Sequence, residues 1–82
     1  MKVEVKYSSM MLKVTGKSIE TIEIKEGSTV LSLVGILIEK YGLEFDQKRK
    51  SMLIAINGSI KNDGHVLKEH DKISFLKLVA GG

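Results

Sequence analysis

The chain ends on Val79-Ala80-Gly81-Gly82, and the α-carboxylate of Gly82 is the group with the clearest chemical use. A bare carboxylate is a poor acyl donor because its oxygen is a bad leaving group. Conversion to an acyl-adenylate makes it open to attack by sulfur or nitrogen. An enzyme that performs this step with ATP must admit the chain end into a narrow site, and two glycines make the thinnest and most pliable tail available. As an ending for a strand the same pair is weak, since glycine packs nothing and loses the most freedom on ordering.

Side-chain catalysis has less to work with. The two histidines, His65 and His70, lie in a turn-rich segment with no cysteine and no helical pairing, so no metal site is expected and both read as surface residues. No nucleophile elbow, phosphate-binding glycine loop or dinucleotide fingerprint is present. The carboxylates fall mostly on exposed positions of strands and turns, which leaves no visible acid and base pair.

The elements that must carry the tail follow from periodicity. Residues 2–7 alternate strictly, with Val3, Val5 and Tyr7 on one face, and predict a half-buried strand. Residues 8–18 lose the alternation and read as a connection, in which the MMLKV stretch could extend either neighbouring strand. Residues 19–24 restore it, with Ile22 and Ile24 inward, and predict a hairpin with the first strand. Ser28 or Thr29 then supplies a helix N-cap. Val30, Leu33, Val34, Leu37, Ile38 and Tyr41 form one apolar stripe at helical period, and Gly42 stands where a capping glycine belongs, so a helix is expected over 29–41. Gly35 in its middle costs about 1 kcal/mol relative to alanine and predicts a close approach to the backbone there.

Residues 43–51 read as a polar connection, and 52–57 as a strand closed by the Asn57-Gly58 turn signal. A short edge strand is expected around 64–67 and the last strand over 72–79. One helix covers only one face of a sheet, so the fold class is α+β in two layers, with residues 1–82 as a single domain. Alternation in the last strands sends Leu53, Ala55, Leu76 and Leu78 to the open face, where they are expected to form an apolar partner surface. Val79 and Ala80 continue that surface toward the tail.

Composition bounds the rest. A chain of 82 residues buries roughly 60 to 65% of the surface exposed when unfolded, enough for one core and too little for a deep multi-residue active site. With 43% hydrophobic and 28% charged residues it lies outside the disordered class. The absence of cysteine removes disulfides, a thiolate nucleophile and sulfur-ligated zinc. The longest apolar stretch, residues 30–38, falls short of the roughly 20 residues that span a bilayer, and no secretion signal opens the sequence; a cytoplasmic protein without membrane contact is expected. The formal charge of +3 comes from scattered lysines. The one basic run, residues 48–50, reads as a solvated connection, because a nucleic-acid footprint would want a stripe with stacking aromatics.

The element order, the INGSIK stretch after the helix, HDKISF leading into the last strand and the terminal VAGG together resemble the ubiquitin-like β-grasp sulfur carriers of the MoaD and ThiS type. That resemblance implies a mixed sheet of four to five strands packed on one main helix. It also implies a carrier that is not itself an enzyme. An activating enzyme of the ubiquitin-activating type adenylates the terminal glycine, here Gly82, and sulfur then replaces AMP to give a thiocarboxylate. Gly81 gives the tail flexibility and access. No cofactor is bound by the carrier, and the ATP is used by the partner enzyme.

In the MoaD branch, which the chain length favours, the acceptor is a MoaE-like synthase subunit making molybdopterin. The alternatives are a ThiS-like carrier serving thiazole synthase or tRNA thiolation, and a ubiquitin-like modifier joined to lysines through the same glycine. Lys77 and Leu78 stand where the common MoaD ending has two prolines, and His70 where a turn glycine is frequent.

Overall fold

The computed structural model describes residues 1–77. Its elements are β1 (Lys2–Lys6), α1 (Ser9–Thr15), β2 (Ile19–Glu23), α2 (Val30–Tyr41), α3 (Leu43–Arg49), β3 (Met52–Ile56), β4 (Ser59–Ile60) and β5 (Lys72–Lys77). The strands form one mixed sheet in the order β2-β1-β5-β3-β4. β5 runs parallel to β1 and antiparallel to β3, so the last strand lies in the middle of the sheet. This is the ubiquitin-like β-grasp arrangement expected from the sequence.

The helical layer is dominated by α2. Val30, Leu33, Val34 and Leu37 are buried from its stripe, against Val3 and Val5 of β1, Ile22 of β2, Ile54 and Ile56 of β3, and Ile73 and Phe75 of β5. Each such side chain contributes about 1.5 to 3 kcal/mol when fully removed from water, so the α2-to-sheet contact is the main source of stability. Thr29 is the N-cap, its Oγ1 accepting from the Ser32 amide at 3.2 Å. At the other end the Gly42 amide donates to the Ile38 carbonyl at 2.7 Å, and Gly42 takes a φ of 86° that a side chain would resist.

The structure differs from the expected connections in three places. Residues 8–18 hold the helix α1, which starts after Ser8, buries Met11 and Thr15 four positions apart and stops at Gly16 in the left-handed region. Consequently β1 and β2 pair antiparallel as expected but are joined through a helix instead of an irregular connection. Residues 43–51 hold α3, which inserts the fully buried Phe45 into the core; its Asp46 pairs with Arg49 and Lys50, so most of the basic run belongs to a helix end. The short edge strand is at Ser59–Ile60, because the two-residue turn with Asn57 at φ 51° and Gly58 at φ 87° returns the chain at once onto Ile56 and Ala55. Residues 64–67 make only a single bridge, Val66 to Thr29, while Leu67 enters the core.

Gly35 also departs from expectation. It faces solvent on α2, and a Cβ built there meets no atom within 4 Å, so no close packing accounts for it. Gly35→Ala should therefore raise stability to urea by about 1 kcal/mol through helix propensity alone. A loss of stability in equilibrium unfolding would contradict this reading of the outer helix face.

Candidate functional site

The site is the face of the sheet opposite α2, together with the end of β5 from which the tail departs. The start of β5 is fixed by a polar tie. Asp71 is 8% exposed, and its carboxylate accepts from Asn57 Nδ2 at 2.8 Å and from the Lys68 amide at 2.8 Å, while the Lys72 amide donates to Asn57 Oδ1 at 2.9 Å. The turn after β3 is thereby locked to the first residue of β5. His70, just before the tie, holds a φ of 66°, which is the left-handed conformation that makes glycine the easier residue in such a turn.

Behind β5 the other three aromatic residues of the chain, Tyr7, Tyr41 and Phe45, gather around its own Phe75. Tyr7 stacks on Phe75 with ring centroids 6.2 Å apart, Phe45 meets Phe75 edge-on at 5.6 Å, and Tyr41 stacks on Phe45 at 5.8 Å. The two phenols converge on Glu20, donating to its Oε1 at 2.7 Å from Tyr7 and 2.6 Å from Tyr41, while Lys40 Nζ donates to Oε2. Glu20 is only 7% exposed. The expectation that carboxylates lie mostly on exposed positions fails at Glu20 and Asp71. For Glu20 the signal was in the alternation, which puts it on the same face of β2 as Ile22 and Ile24.

Burial alone would raise the Glu20 carboxyl, but the hydrogen bonds from Lys40, Tyr41 and Tyr7 outweigh it and hold its pKa at about 2. Its anion in turn pushes the Lys40 ammonium up. Burial and the same anion push the Tyr7 and Tyr41 phenols up, keeping both as donors.

On the open face, Leu53 and Leu76 lie directly opposite each other in the β3–β5 register and are 39% and 41% exposed. Ala55, expected beside them, is 4% exposed and cannot offer a contact surface. It is a small side chain on an inner strand, flanked in register by Ile60 of β4 and Ser74 of β5, which shade it. Ile60 is instead the exposed apolar residue of that row, at 53%, and was missed because the position of β4 was misread. Leu78, Val79, Ala80, Gly81 and Gly82 lie outside the described residues. His65 is half-buried and His70 exposed, and among the described residues no group of three potential ligands could hold a metal ion. Among them too, no helix is long and apolar enough to cross a membrane.

A tail-bearing strand held in the middle of a β-grasp sheet is the setting in which the comparisons are informative. The model of the ThiS family matches residues 5–82. The chain belongs to the ThiS family. It shares the ubiquitin fold of the family's small sulfur carriers. A protein assigned as molybdopterin converting factor subunit 1 from Pyrococcus furiosus superposes with a TM-score of 0.86 at 25% identity, covering 96% of this chain and 99% of that one.

The complex of subunits 1 and 2 of the molybdopterin-converting factor from Helicobacter pylori gives a TM-score of 0.71 at 30% identity over 100% of both chains. Small archaeal modifier protein 1 from Haloferax volcanii, at 15% identity and a TM-score of 0.81 over 95% of this chain and 98% of that one, shares the fold. No curated protein matches.

The Glu20 cluster generates a pH prediction. With the folded carboxyl at about 2 against an ordinary 4.5, its stabilisation is fully present above pH 4.5 and is lost as pH falls toward 2. Glu20→Gln should lower unfolding free energy by about 2 kcal/mol at neutral pH, and the difference from the parent should shrink at pH 3. Denaturant titrations at a series of pH values test this; a difference independent of pH would show that the charge is not what stabilises.

Proposed function

We propose that this ThiS-family protein is a sulfur carrier whose Gly82 carboxylate is converted to a thiocarboxylate. The observation that carries the reading is that the family match runs through residue 82 and so includes the Gly81-Gly82 pair, four and five positions in sequence after Lys77 of the strand anchored at the sheet centre. A partner adenylating enzyme joins the carboxylate oxygen to the α-phosphorus of ATP and releases pyrophosphate. A sulfur nucleophile then attacks the acyl carbon and AMP leaves: hydrosulfide gives the thiocarboxylate directly, and a donor persulfide gives an acyl disulfide whose S–S bond is cleaved by a second thiol, which is oxidised to a disulfide with the donor as the thiocarboxylate is released. Transfer of the sulfur to an acceptor, with water supplying the oxygen, returns the carboxylate.

None of these steps calls on a side chain of the carrier as acid, base or nucleophile. That agrees with a described surface whose buried carboxylates, Glu20 and Asp71, are fully engaged in holding the fold. The carrier binds no cofactor; ATP belongs to the activating enzyme. The acceptor is a molybdopterin precursor held by a second, larger subunit, a reading supported by the likeness to subunit 1 of the Helicobacter pylori factor, whose structure is a complex with subunit 2. In such a complex Leu53 and Leu76 would be covered by the partner, with Leu78, Val79 and Ala80 leading Gly81 and Gly82 toward the acceptor. The cytoplasm, where ATP and reduced sulfur donors are available, is the compartment this chemistry requires.

Intact-mass spectrometry tests the chemistry. Incubation with the activating enzyme, ATP and a sulfur donor should shift the mass by the difference between one sulfur and one oxygen, and deletion of Gly82 should abolish the shift while leaving thermal stability unchanged. An unchanged mass of the full chain, under conditions that convert a known carrier, would overturn the reading.

A further inference from the structure

The outer face of α2 lacks the charges that an exposed helix face of this chain should carry. Between positions 31 and 36 the residues that reach solvent are Leu31, Ser32, Gly35 and Ile36, with no ionisable group among them in a sequence that is 28% charged. Leu31 and Ile36 are 53% and 40% exposed. At about 100° per residue they lie on the two flanks of the helix's outward line, with Ser32 and Gly35 between them. Gly35 costs helix stability, and nothing in its own chain approaches it closely. The Ser32 hydroxyl already pairs with Thr29 Oγ1 at 3.1 Å, so an apolar surface can cover it without leaving a polar group unpaired. A broad hollow lies on the Ile36 flank, lined also by Met1, Ile24, Ser32, Glu23 and Lys25.

A two-fold axis turns these features into one self-complementary surface. In an antiparallel pair of α2 helices that cross between Ser32 and Gly35, Ser32 of each copy meets Gly35 of the other at the closest approach. The axis brings like flanks together, so Ile36 of each copy faces the hollow beside Ile36 of the other, and Leu31 meets Leu31 on the opposite flank. Glu39, one turn beyond Gly35, comes level with Ser28 of the other copy, beside Lys25. Both are exposed, and among the described residues neither has an ion-pair partner within its own chain. A parallel pair would instead set Glu39 against Glu39. An anionic lipid surface would meet Glu39 and no lysine on that outward line.

We propose that two copies of this chain associate through antiparallel α2 helices, with Gly35 keeping the crossing close enough for Ile36 to enter the opposite hollow. Because α2 lies on the other side of the sheet from Leu53 and Leu76, the two open faces end on the outside of the pair and stay accessible. The contact does not depend on the chemistry at Gly82.

Sedimentation equilibrium of the full chain, from about 10 μM to about 1 mM, tests the pairing. A monomer–dimer equilibrium is expected with a dissociation constant between about 10 and 500 μM, since one pair of three-turn helices makes an interface at the small end of the known range. Gly35→Gln should raise that constant by about tenfold or more, because a side chain at the crossing holds the helices apart. At low micromolar concentration the same variant should unfold in urea no more easily than the parent. Lys25→Glu and Glu39→Lys should each weaken the dimer several-fold, and the double variant, which restores opposite charges, should recover it. A parent that stays monomeric at about 1 mM overturns the proposal, as does a dimer indifferent to the Gly35 change or a double variant no tighter than either single one. All of these outcomes leave the sulfur-carrier reading intact.

Discussion

The fold depends on one topological constraint: the last strand occupies the middle of the sheet, parallel to the first and antiparallel to the third. A chain end is ordinarily the easiest part of a protein to fray, and a terminal strand at a sheet edge would have only one neighbour to hold it. Here β5 is bonded on both sides over its first residues, and its side chains Ile73 and Phe75 are among the most deeply buried in the molecule. The Asn57–Asp71 tie fixes where it begins, and the Tyr7, Phe45 and Phe75 rings fix it from behind. The tail is thus launched from the most constrained strand in the chain, which fixes the point from which a partner must receive it.

Much of that was legible in the sequence, because the long elements repeat their period often enough to be read. β1 and β5 each show a run of alternation with one apolar face, and α2 presents a stripe three turns long. The helices α1 and α3 escaped notice because each has seven residues and gives the core few side chains, with Phe45 alone buried from α3. Their end signals were present even so, in Ser8 and Gly16 for α1 and Gly42 for the start of α3. The edge strand was misplaced for a different reason. Val66 and Leu67 look like a strand by type, but a two-residue turn at Asn57-Gly58 fixes its return strand immediately, and residues 65–67 run instead against the start of α2, where Val66 bridges Thr29 and the Leu67 amide donates to the Ser28 carbonyl.

At the site, alternation sent the correct set of residues to the open face, yet it could not say which of them would be reachable. Leu53 and Ala55 share a side of β3, and the difference between them is size and neighbours: a leucine stands clear of the strands beside it and an alanine does not. Glu20 shows the converse. Its inward position was written in the pattern, but a lone carboxylate among isoleucines gains its meaning only from Tyr7, Tyr41 and Lys40, which come from two other elements.

These features separate stability from recognition across the thickness of one sheet. On the helix side the aromatic rings and the Glu20 anion are closed to solvent and bonded to one another, so a change there is felt as stability. On the other side Leu53 and Leu76 stand outside the buried core and are exposed. Phe75 and Leu76 are adjacent in sequence and belong to opposite roles, one fixing the strand and the other left for a partner. A chain of this size has no room for a cavity in which its own side chains could enclose a reacting group. Under the proposed sulfur-carrier function the fold would supply a rigid mount and leave the enclosure of the reaction to a partner enzyme.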